Sequence, residues 1–260
     1  MSYPIYTVDA FTDKVFGGNP AACCPLEAFF STDIMQQLAN ENNLSETAFF
    51  VKKEDHSYDL RWFTPEVEMD LAGHPTLATA YIIFNELGHP GDTISFHTRS
   101  GLLTVVKKGD LLEMNFPARM PQPCELPEQL IRGFSIKPRQ VLKSRDYFLV
   151  YDSVEEIIEV KPDYNHLNKL DTLGIIITAK GNESDFVCRF LVPNSVIGED
   201  PVTGSAHASL IPYWAKELNK TELSSIQLSK RKGHLYCGFL GDRVTIAGKA
   251  VLYMKGEYFL

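Results

Sequence analysis

The sequence lacks the features of a nucleic-acid-binding or membrane protein. No run of Lys or Arg builds a basic stripe, and the formal net charge is −8. Phosphate binding needs a clustered basic surface, so we expect no nucleic-acid partner. No segment approaches about 18 uninterrupted apolar residues, and the start "MSYPIYTVDAF" has no basic region followed by an apolar one. We therefore expect no membrane span, no signal peptide and a cytoplasmic location.

Cysteine is scarce and irregularly spaced. The five cysteines are odd in number and show no CxxC spacing, and several fall in strand-like apolar runs. This pattern excludes a disulfide framework and predicts reduced, mostly buried thiols. The scattered histidines His56, His89, His97, His166 and His234 lack ligand spacing. We expect no metal.

The sequence has a mixed α+β pattern. Of its 260 residues, 44% are hydrophobic and 22% are charged, a composition typical of a globular protein. Many short strand candidates alternate with three helix candidates. These are "STDIMQQLANENN", "HPTLATAYIIFNELG" and "SAHASLIPYWAKELN". In the second, Leu77, Ala80, Tyr81, Phe84 and Leu87 share a predicted apolar face. Pro212 predicts a kink or buried turn in the third. The segment "QVLKSRDYFLVY" is predicted to form one strand.

The chain repeats itself with a shift of 128 positions, which places Arg61 on Arg189 and Pro65 on Pro193. After a three-residue insertion, a glycine opens a long helix in each copy, Gly73 in "LAGHPTLATA" and Gly204 in "VTGSAHASLI". We predict two duplicated α+β halves, residues 1–117 and 118–249, joined at the proline-rich "NFPARMPQP".

The two helix starts predict an anion site. A helix N-terminus carries unpaired N–H groups and a partial positive charge, and glycine lets a ligand approach the backbone. Two starts related by duplication are expected to face each other across the cleft between the halves, where small ligands bind. The sequence thus predicts that the helix starts at Gly73 and Gly204 form a cleft that binds a carboxylate or another small anion.

Glu46, in "NLSETAFFV", is the candidate acid or base. Its own nine residues favour a solvated corner charge. His74 and Asp200 flank the two helix starts, although His74 could be a cap and Asp200 a turn-former before proline. The position that matches Glu46 in the second half is Gly174, so the acid occurs once. A single acid favours a reaction in which the proton is removed and returned on the same face of the substrate, that is, isomerisation. Burial in a water-poor cleft could raise the pKa of the Glu46 carboxyl toward neutrality for this task.

Five ordered motifs carry a family resemblance over nearly the whole chain. They are "VDAFTDKVFGGNPAAC", "NLSETAFF", "RWFTPEVEMDLAGHPTLA", "GEDPVTGSAHA" and "KGHLYCG…VTIAGKAVLYMKGE". Together they resemble the PhzF (phenazine-biosynthesis) family, which shares the diaminopimelate-epimerase-like fold. The resemblance implies two similar halves, each a curved, barrel-like sheet around a long central helix. It also implies that the last strand, about residues 250–260, completes the first half.

Residue by residue, the resemblance implies catalytic roles for Glu46, His74 and Asp200. It also implies carboxylate binding by the helix-start groups Gly73, Gly204 and Ser205. The family's best-known reaction is isomerisation of trans-2,3-dihydro-3-hydroxyanthranilate by a hydrogen shift, without metal or organic cofactor. The implied function is a cofactor-independent isomerase of a small cyclic or unsaturated carboxylate, and a homodimer is a family expectation.

Two alternatives stay open from the sequence. One is a non-catalytic binding protein that keeps the fold, against which the intact Glu46, His74 and Asp200 count. The other is an amino-acid or hydroxy-acid epimerase, which is disfavoured because "LAGHPT" and "DPVTGSA" lack the paired cysteines that related epimerases carry. Asp70 and the segment Arg231–Gly233 depart from better-known family members.

Overall fold

A computed structural model describes residues 1–260, and the chain divides into two compact units. Unit 1 comprises Met1–Asn115 and Ala247–Leu260, and unit 2 comprises Phe116–Ile246. None of the helices in either unit has the length and apolarity needed to span a lipid bilayer.

Unit 1 begins with a mixed sheet and two helices. In chain order its elements are β1 (Ser2–Ala10), β2 (Asn19–Leu26), α1 (Thr32–Asn42), β3 (Glu46–Lys52), β4 (Tyr58–Phe63), β5 (Glu68–Met69), α2 (Gly73–Asn85), β6 (Thr93–Thr98), β7 (Gly101–Lys108) and β8 (Leu111–Pro117), whose last two residues fall in unit 2. Strands β1 and β2 are antiparallel, β2 and β3 parallel, β3 and β4 antiparallel, and β4 and β6 parallel.

Helix α2 forms the centre of unit 1, because nearly all of its residues are buried. It packs against β1, β2 and β3. The predicted apolar face was wrong in part. Ile82 and Ile83 are fully buried, whereas Leu87 is 41% exposed and lies beyond the last helical residue, Asn85. Helix α1 begins where Ser31 Oγ accepts a hydrogen bond from the Ile34 amide and ends at Asn43, in the left-handed region.

Unit 2 has the same kind of mixed sheet with more short helices. Its elements are β9 (Gln122–Pro123), α3 (Glu128–Arg132), β10 (Gln140–Lys143), β11 (Tyr147–Val150), α4 (Val154–Glu159), α5 (Tyr164–Leu167), β12 (Ile175–Lys180), β13 (Phe186–Leu191), β14 (Glu199–Asp200), α6 (Gly204–Leu218), β15 (Glu222–Gln227), β16 (Gly233–Phe239) and β17 (Arg243–Gly248), whose last two residues fall in unit 1. The single strand predicted in "QVLKSRDYFLVY" is instead the hairpin of β10 and β11.

Helix α6 is the buried long helix of unit 2 and runs without a break through Pro212. Proline cannot donate to the carbonyl four residues earlier, which is that of Ala208. The Arg119 amide donates to this carbonyl instead, at 2.8 Å. The freed acceptor is therefore satisfied by the segment that follows β8, and the predicted kink or turn is replaced by this contact.

The last strand, β18 (Ala250–Phe259), belongs to unit 1. It pairs antiparallel with β1 along that strand's full length, from Ser2 opposite Phe259 to Ala10 opposite Ala250. The chain therefore returns to its first unit at its end.

The internal repeat is visible in the strand register. All six residue pairs that join β3 to β4 recur 128 positions later between β12 and β13; for example, Phe49 opposite Arg61 becomes Ile177 opposite Arg189. The parallel partners β6 and β15 follow in each unit. The matching strand registers confirm the predicted α+β fold with two similar halves.

The predicted thiols are confirmed as free cysteines. Cys23, Cys24, Cys188 and Cys237 are buried and Cys124 is half-buried. Burial raises the pKa of Cys23 to about 12 and raises the pKa of the other buried thiols as well. None of them is a reactive thiolate near neutral pH.

Candidate active site

Glu46 is mostly buried, although its sequence context is that of a corner. It is the first residue of β3 and follows the α1 C-terminus by four positions. Its backbone lies opposite Ala21 of the parallel neighbour β2. The side chain is only 15% exposed. The interpretation of Glu46 as a solvated corner charge is therefore wrong, since water reaches little of the carboxylate.

His74 meets Glu46 at the start of α2. It is the second residue of that helix and is buried, with its side chain 4% exposed. Its Nε2 lies 3.2 Å from Glu46 Oε2, and its Nδ1 lies 3.1 Å from Nδ2 of Asn19. The starts of β2, β3 and α2 thus bring three polar side chains into one row, because α2 packs on both strands.

His74 is neutral in this environment. Burial lowers its pKa to about 3, against a smaller opposing effect from a hydrogen bond with the backbone of Pro20. A histidine with so low a pKa is a weak base. Of the pair, the carboxylate of Glu46 is therefore the group suited to accept a proton from a ligand.

Asn19 was not singled out from the sequence. It lies within the quoted motif "VDAFTDKVFGGNPAAC", but no chemical feature of that motif distinguishes it. It is fully buried at the first position of β2. Its partner His74 lies 55 positions away, so only the fold brings the two residues together.

In unit 2, Asp200 is held beside the start of α6. It is the second residue of β14, and Oγ1 of Thr203 donates a short hydrogen bond to Asp200 Oδ2. Gln227, fully buried, donates from Nε2 to the Asp200 carbonyl at 2.8 Å and accepts from the Thr203 amide at 2.9 Å. Gln227 therefore fixes the loop that carries Asp200, and sequence reasoning missed it.

Gly204 and Ser205 are the first two residues of α6. Ser205 Oγ accepts a hydrogen bond from Arg145 Nη2 at 3.1 Å. Arg145 in turn forms a two-point ion pair with the buried carboxylate of Asp146. Arg145 was also missed, because the hairpin turn that carries it was read as strand.

Neither helix start is capped by a side chain. Ala72 precedes α2 and has no hydroxyl or carboxylate to cap with, and Thr203 precedes α6 but directs its hydroxyl to Asp200. Both first turns also lack acidic residues. Such starts are suited to an anionic ligand, because the residue before each helix makes no capping bond to the first amides.

The position that matches Glu46 in unit 2 has no room for any side chain. A Cβ added at Gly174 would come within 2.1 Å of the Phe190 ring. The ring of Phe190 occupies the space that the first side-chain atom of a glutamate would need. Unit 2 therefore cannot present an acid at this position without repacking.

The other residues of interest near the predicted site have simpler environments. Asp70 is exposed. Gly233 lies against Val202, where an added Cβ would come within 2.3 Å of Cγ2. His207 is a buried packing histidine, hydrogen-bonded to the Thr203 carbonyl and Ser225 Oγ. No three His, Cys, Asp or Glu side chains in the chain come together to hold a metal ion.

Comparison with known proteins identifies the class first. The solved structure of a PhzF family protein from Enterococcus faecalis superimposes with a TM-score of 0.96 at 47% identity, covering 100% of both chains. A hydroxyproline epimerase from Agrobacterium vitis shares the fold alone, with a TM-score of 0.65 at 10% identity, covering 99% of this chain and 91% of the epimerase. The fold is thus diaminopimelate-epimerase-like, as predicted.

The sequence comparisons identify the family. The model of the PhzC-PhzF family, described as phenazine biosynthesis-like protein, matches residues 8–256. A relative in Pseudomonas aeruginosa, named an uncharacterized isomerase, is 49% identical over 260 residues and covers 100% of both chains. The chain belongs to the phenazine biosynthesis-like family and is an isomerase. The predicted family and enzyme class are confirmed, whereas the homodimer and the cytoplasmic location stay predictions.

Proposed function

We propose that the protein is a cofactor-independent isomerase of a small cyclic or unsaturated carboxylate, with Glu46 as its proton shuttle. The observation that carries the proposal is the contact of 3.2 Å between Glu46 Oε2 and Nε2 of a neutral, buried His74. A largely buried carboxylate beside a neutral imidazole is suited to accept a proton and to return it.

The proposed reaction is a hydrogen shift. Glu46 takes the proton from a C–H bond of the substrate, and the electron pair of that bond enters the unsaturated system next to the substrate carboxylate. Glu46 then returns the proton to another carbon of the same system. The shift leaves the atoms and electrons of the substrate unchanged in number, so it needs no oxidant and no second substrate.

The substrate carboxylate gains negative charge during such a shift. We assign its binding to the amides at the start of α2 and α6, with Gly73, Gly204 and Ser205 as the contacting residues, as the resemblance implies. The absence of side-chain caps at both helix starts supports this assignment. His74 and Asp200 are assigned to orienting the ligand and tuning the acid.

The occurrence of one acid supports isomerisation over epimerisation. An enzyme that inverts a stereocentre with two bases needs an acid or base on each face of the carbon. Gly174 and the Phe190 ring exclude the duplicated acid in unit 2. Proton exchange at a stereocentre without movement of a double bond would favour the epimerase alternative instead.

The test is a survey of small carboxylates by proton NMR, including the dihydro-hydroxyanthranilate. We expect the wild-type protein to move a double bond in at least one of them, and Glu46→Gln to lose this activity by about 100-fold or more. Glu41→Gln, an exposed glutamate in α1, is the matched control and should retain it. Equal activity in the wild type and Glu46→Gln would remove Glu46 from the mechanism.

A further inference from the structure

Arg119, in unit 2, is a cation that no carboxylate of the protein pairs with. It follows β8 closely in the chain and is partly buried. Its backbone amide donates to the Ala208 carbonyl at 2.8 Å, but its guanidinium makes no hydrogen bond and no ion pair within the protein. A cation that is partly removed from water normally has such a partner, because its desolvation otherwise costs free energy. The guanidinium is therefore available to an anionic ligand.

The charges around Arg119 do not balance. Burial lowers the pKa of its guanidinium, the positive charge of Arg145 lowers it further, and the negative charge of Asp146 opposes this change. The buried carboxylate of Asp146 is already bound at two points by Arg145. Two guanidinium groups thus share one carboxylate, which leaves one positive charge in excess.

Arg145 links this charge to the start of α6. Its Nη2 donates to Ser205 Oγ at 3.1 Å. A serine hydroxyl has one proton and two lone pairs, and Arg145 occupies a lone pair, so the proton is directed elsewhere. Ser205 Oγ donates to no acceptor of the protein. This unused donor lies about one helical turn before Ala208, whose carbonyl holds the backbone of Arg119.

We propose that Arg119 and the Ser205 hydroxyl bind one carboxylate group of a ligand, and that Arg145 is a positioning residue that keeps the Ser205 proton directed at this group. A carboxylate offers the acceptor oxygens that a guanidinium and a hydroxyl require, and its charge cancels the excess positive charge. The identity of this carboxylate as that of the substrate rests on the proposed function, whereas the anion site does not.

The experiment is isothermal titration calorimetry of the full-length protein with benzoate, a cyclic carboxylate. Benzamide is the matched ligand, because it has nearly the same shape and no charge. We expect saturable binding of benzoate that weakens as the NaCl concentration is raised, and binding of benzamide that is weaker by about tenfold or more. No binding of benzoate, or equal binding of benzamide, would overturn the proposal.

Substitutions of Arg119 locate the site. Arg119→Met keeps most of the apolar stem and should weaken benzoate binding by about tenfold or more. Arg119→Lys should recover part of the affinity, because lysine restores the charge but not the planar fork. Arg132→Met is the control, since Arg132 is an exposed arginine of α3 paired with Glu128, and it should bind benzoate as the wild type does. Unchanged affinity in Arg119→Met would show that the carboxylate binds elsewhere.

A double-mutant cycle tests the positioning role of Arg145. Arg145→Lys keeps a positive charge beside Asp146 but loses the fork that reaches Ser205. Because Arg145 acts through the Ser205 hydroxyl, this substitution should cost less benzoate affinity in a Ser205→Ala background than in the wild type. Equal losses in both backgrounds would remove the positioning role.

Stability separates ligand binding from a structural role for Arg119. The guanidinium has no hydrogen-bonding partner and lies near a like charge, so Arg119→Met should leave the Tm unchanged or raise it. A lower Tm together with weaker binding would assign Arg119 to the fold and overturn the proposal. Benzoate binding is measured without turnover, so failure to find isomerisation would contradict the proposed function and leave the anion site established.

Discussion

Glu46 and Gly174 occupy matching positions in the two units but have opposite environments. Glu46 Oε2 faces a buried histidine, whereas the Phe190 ring fills the space next to Gly174. Because an added Cβ at Gly174 would come within 2.1 Å of that ring, the single acid follows from close packing in unit 2. A duplicated fold has thus kept one candidate proton-transfer group.

Gly174→Ala tests this packing. The methyl group has to displace the Phe190 ring, so we expect the free energy of unfolding to fall by roughly 1–3 kcal/mol. Urea denaturation followed by fluorescence measures it. Gly256→Ala is the control, because its added methyl group would lie 4.0 Å from Ile5 Cγ2, and its stability should stay close to that of the wild type. Unchanged stability in Gly174→Ala would contradict the account.

At the scale of elements, each unit has an arginine at the same repeat position that pairs with the short strand before its long helix. Arg61 makes a two-point ion pair with Glu68 of β5, and Arg189 makes the same pair with Glu199 of β14. Arg189 also donates to two backbone carbonyls, those of Ile157 and Val160. These pairs explain why the arginines match in the repeat: each anchors the loop that leads into α2 or α6.

Arg189→Met tests the anchoring role. It leaves Glu199 partly buried without its cation and removes two hydrogen bonds to carbonyls, so we expect a loss of roughly 3 kcal/mol in the free energy of unfolding. Lys53→Met, which breaks an exposed pair with Asp59, should change it by less than about 1 kcal/mol. Chemical denaturation of both variants provides the comparison. A loss in Arg189→Met no larger than that in Lys53→Met would refute the anchor.

The sequence predicted those elements whose signals are local or repeated. The register of β3 and β4 recurs in β12 and β13 because Arg61 and Arg189 keep their positions. The starts of α2 and α6 were predicted at Gly73 and Gly204 because glycine opens a strongly apolar run.

The residues that the sequence did not predict have distant partners. Asn19 contacts His74 across 55 positions, and Gln227 contacts the Asp200 carbonyl across 27. A polar residue inside an apolar strand shows no preference for one partner until the sheet is formed. The short helices α3 to α5 were missed for a related reason, since four to six residues carry too little periodicity to identify a helix.

At the scale of the whole molecule, two buried neutral histidines couple stability to pH. Burial lowers the pKa of His74 to about 3 and that of His207 to about 4. In the unfolded chain, histidine titrates near pH 6.5. Between these values the unfolded chain binds protons that the folded chain excludes, so the free energy of unfolding falls as the pH is lowered from 6.5 toward 4.

The expected size is on the order of 3 kcal/mol per histidine by pH 4. Differential scanning calorimetry of the wild type between pH 7 and pH 4 should show a falling Tm. His207→Gln should flatten this fall, whereas His234→Gln, at an exposed position, should not. The account fails on this point if the Tm of the wild type is independent of pH over the range, or if His207→Gln falls as steeply as the wild type.

The most direct test of the central claim is isomerisation in D₂O, with the substrate that responds in the carboxylate survey. The account predicts that wild-type protein moves the double bond and that Glu46→Gln does not, with any deuterium that enters found on one face only of the carbon that receives the proton. Deuterium incorporation that survives Glu46→Gln would show that another group carries the proton. Deuterium at an inverted stereocentre of recovered substrate would contradict the hydrogen shift itself.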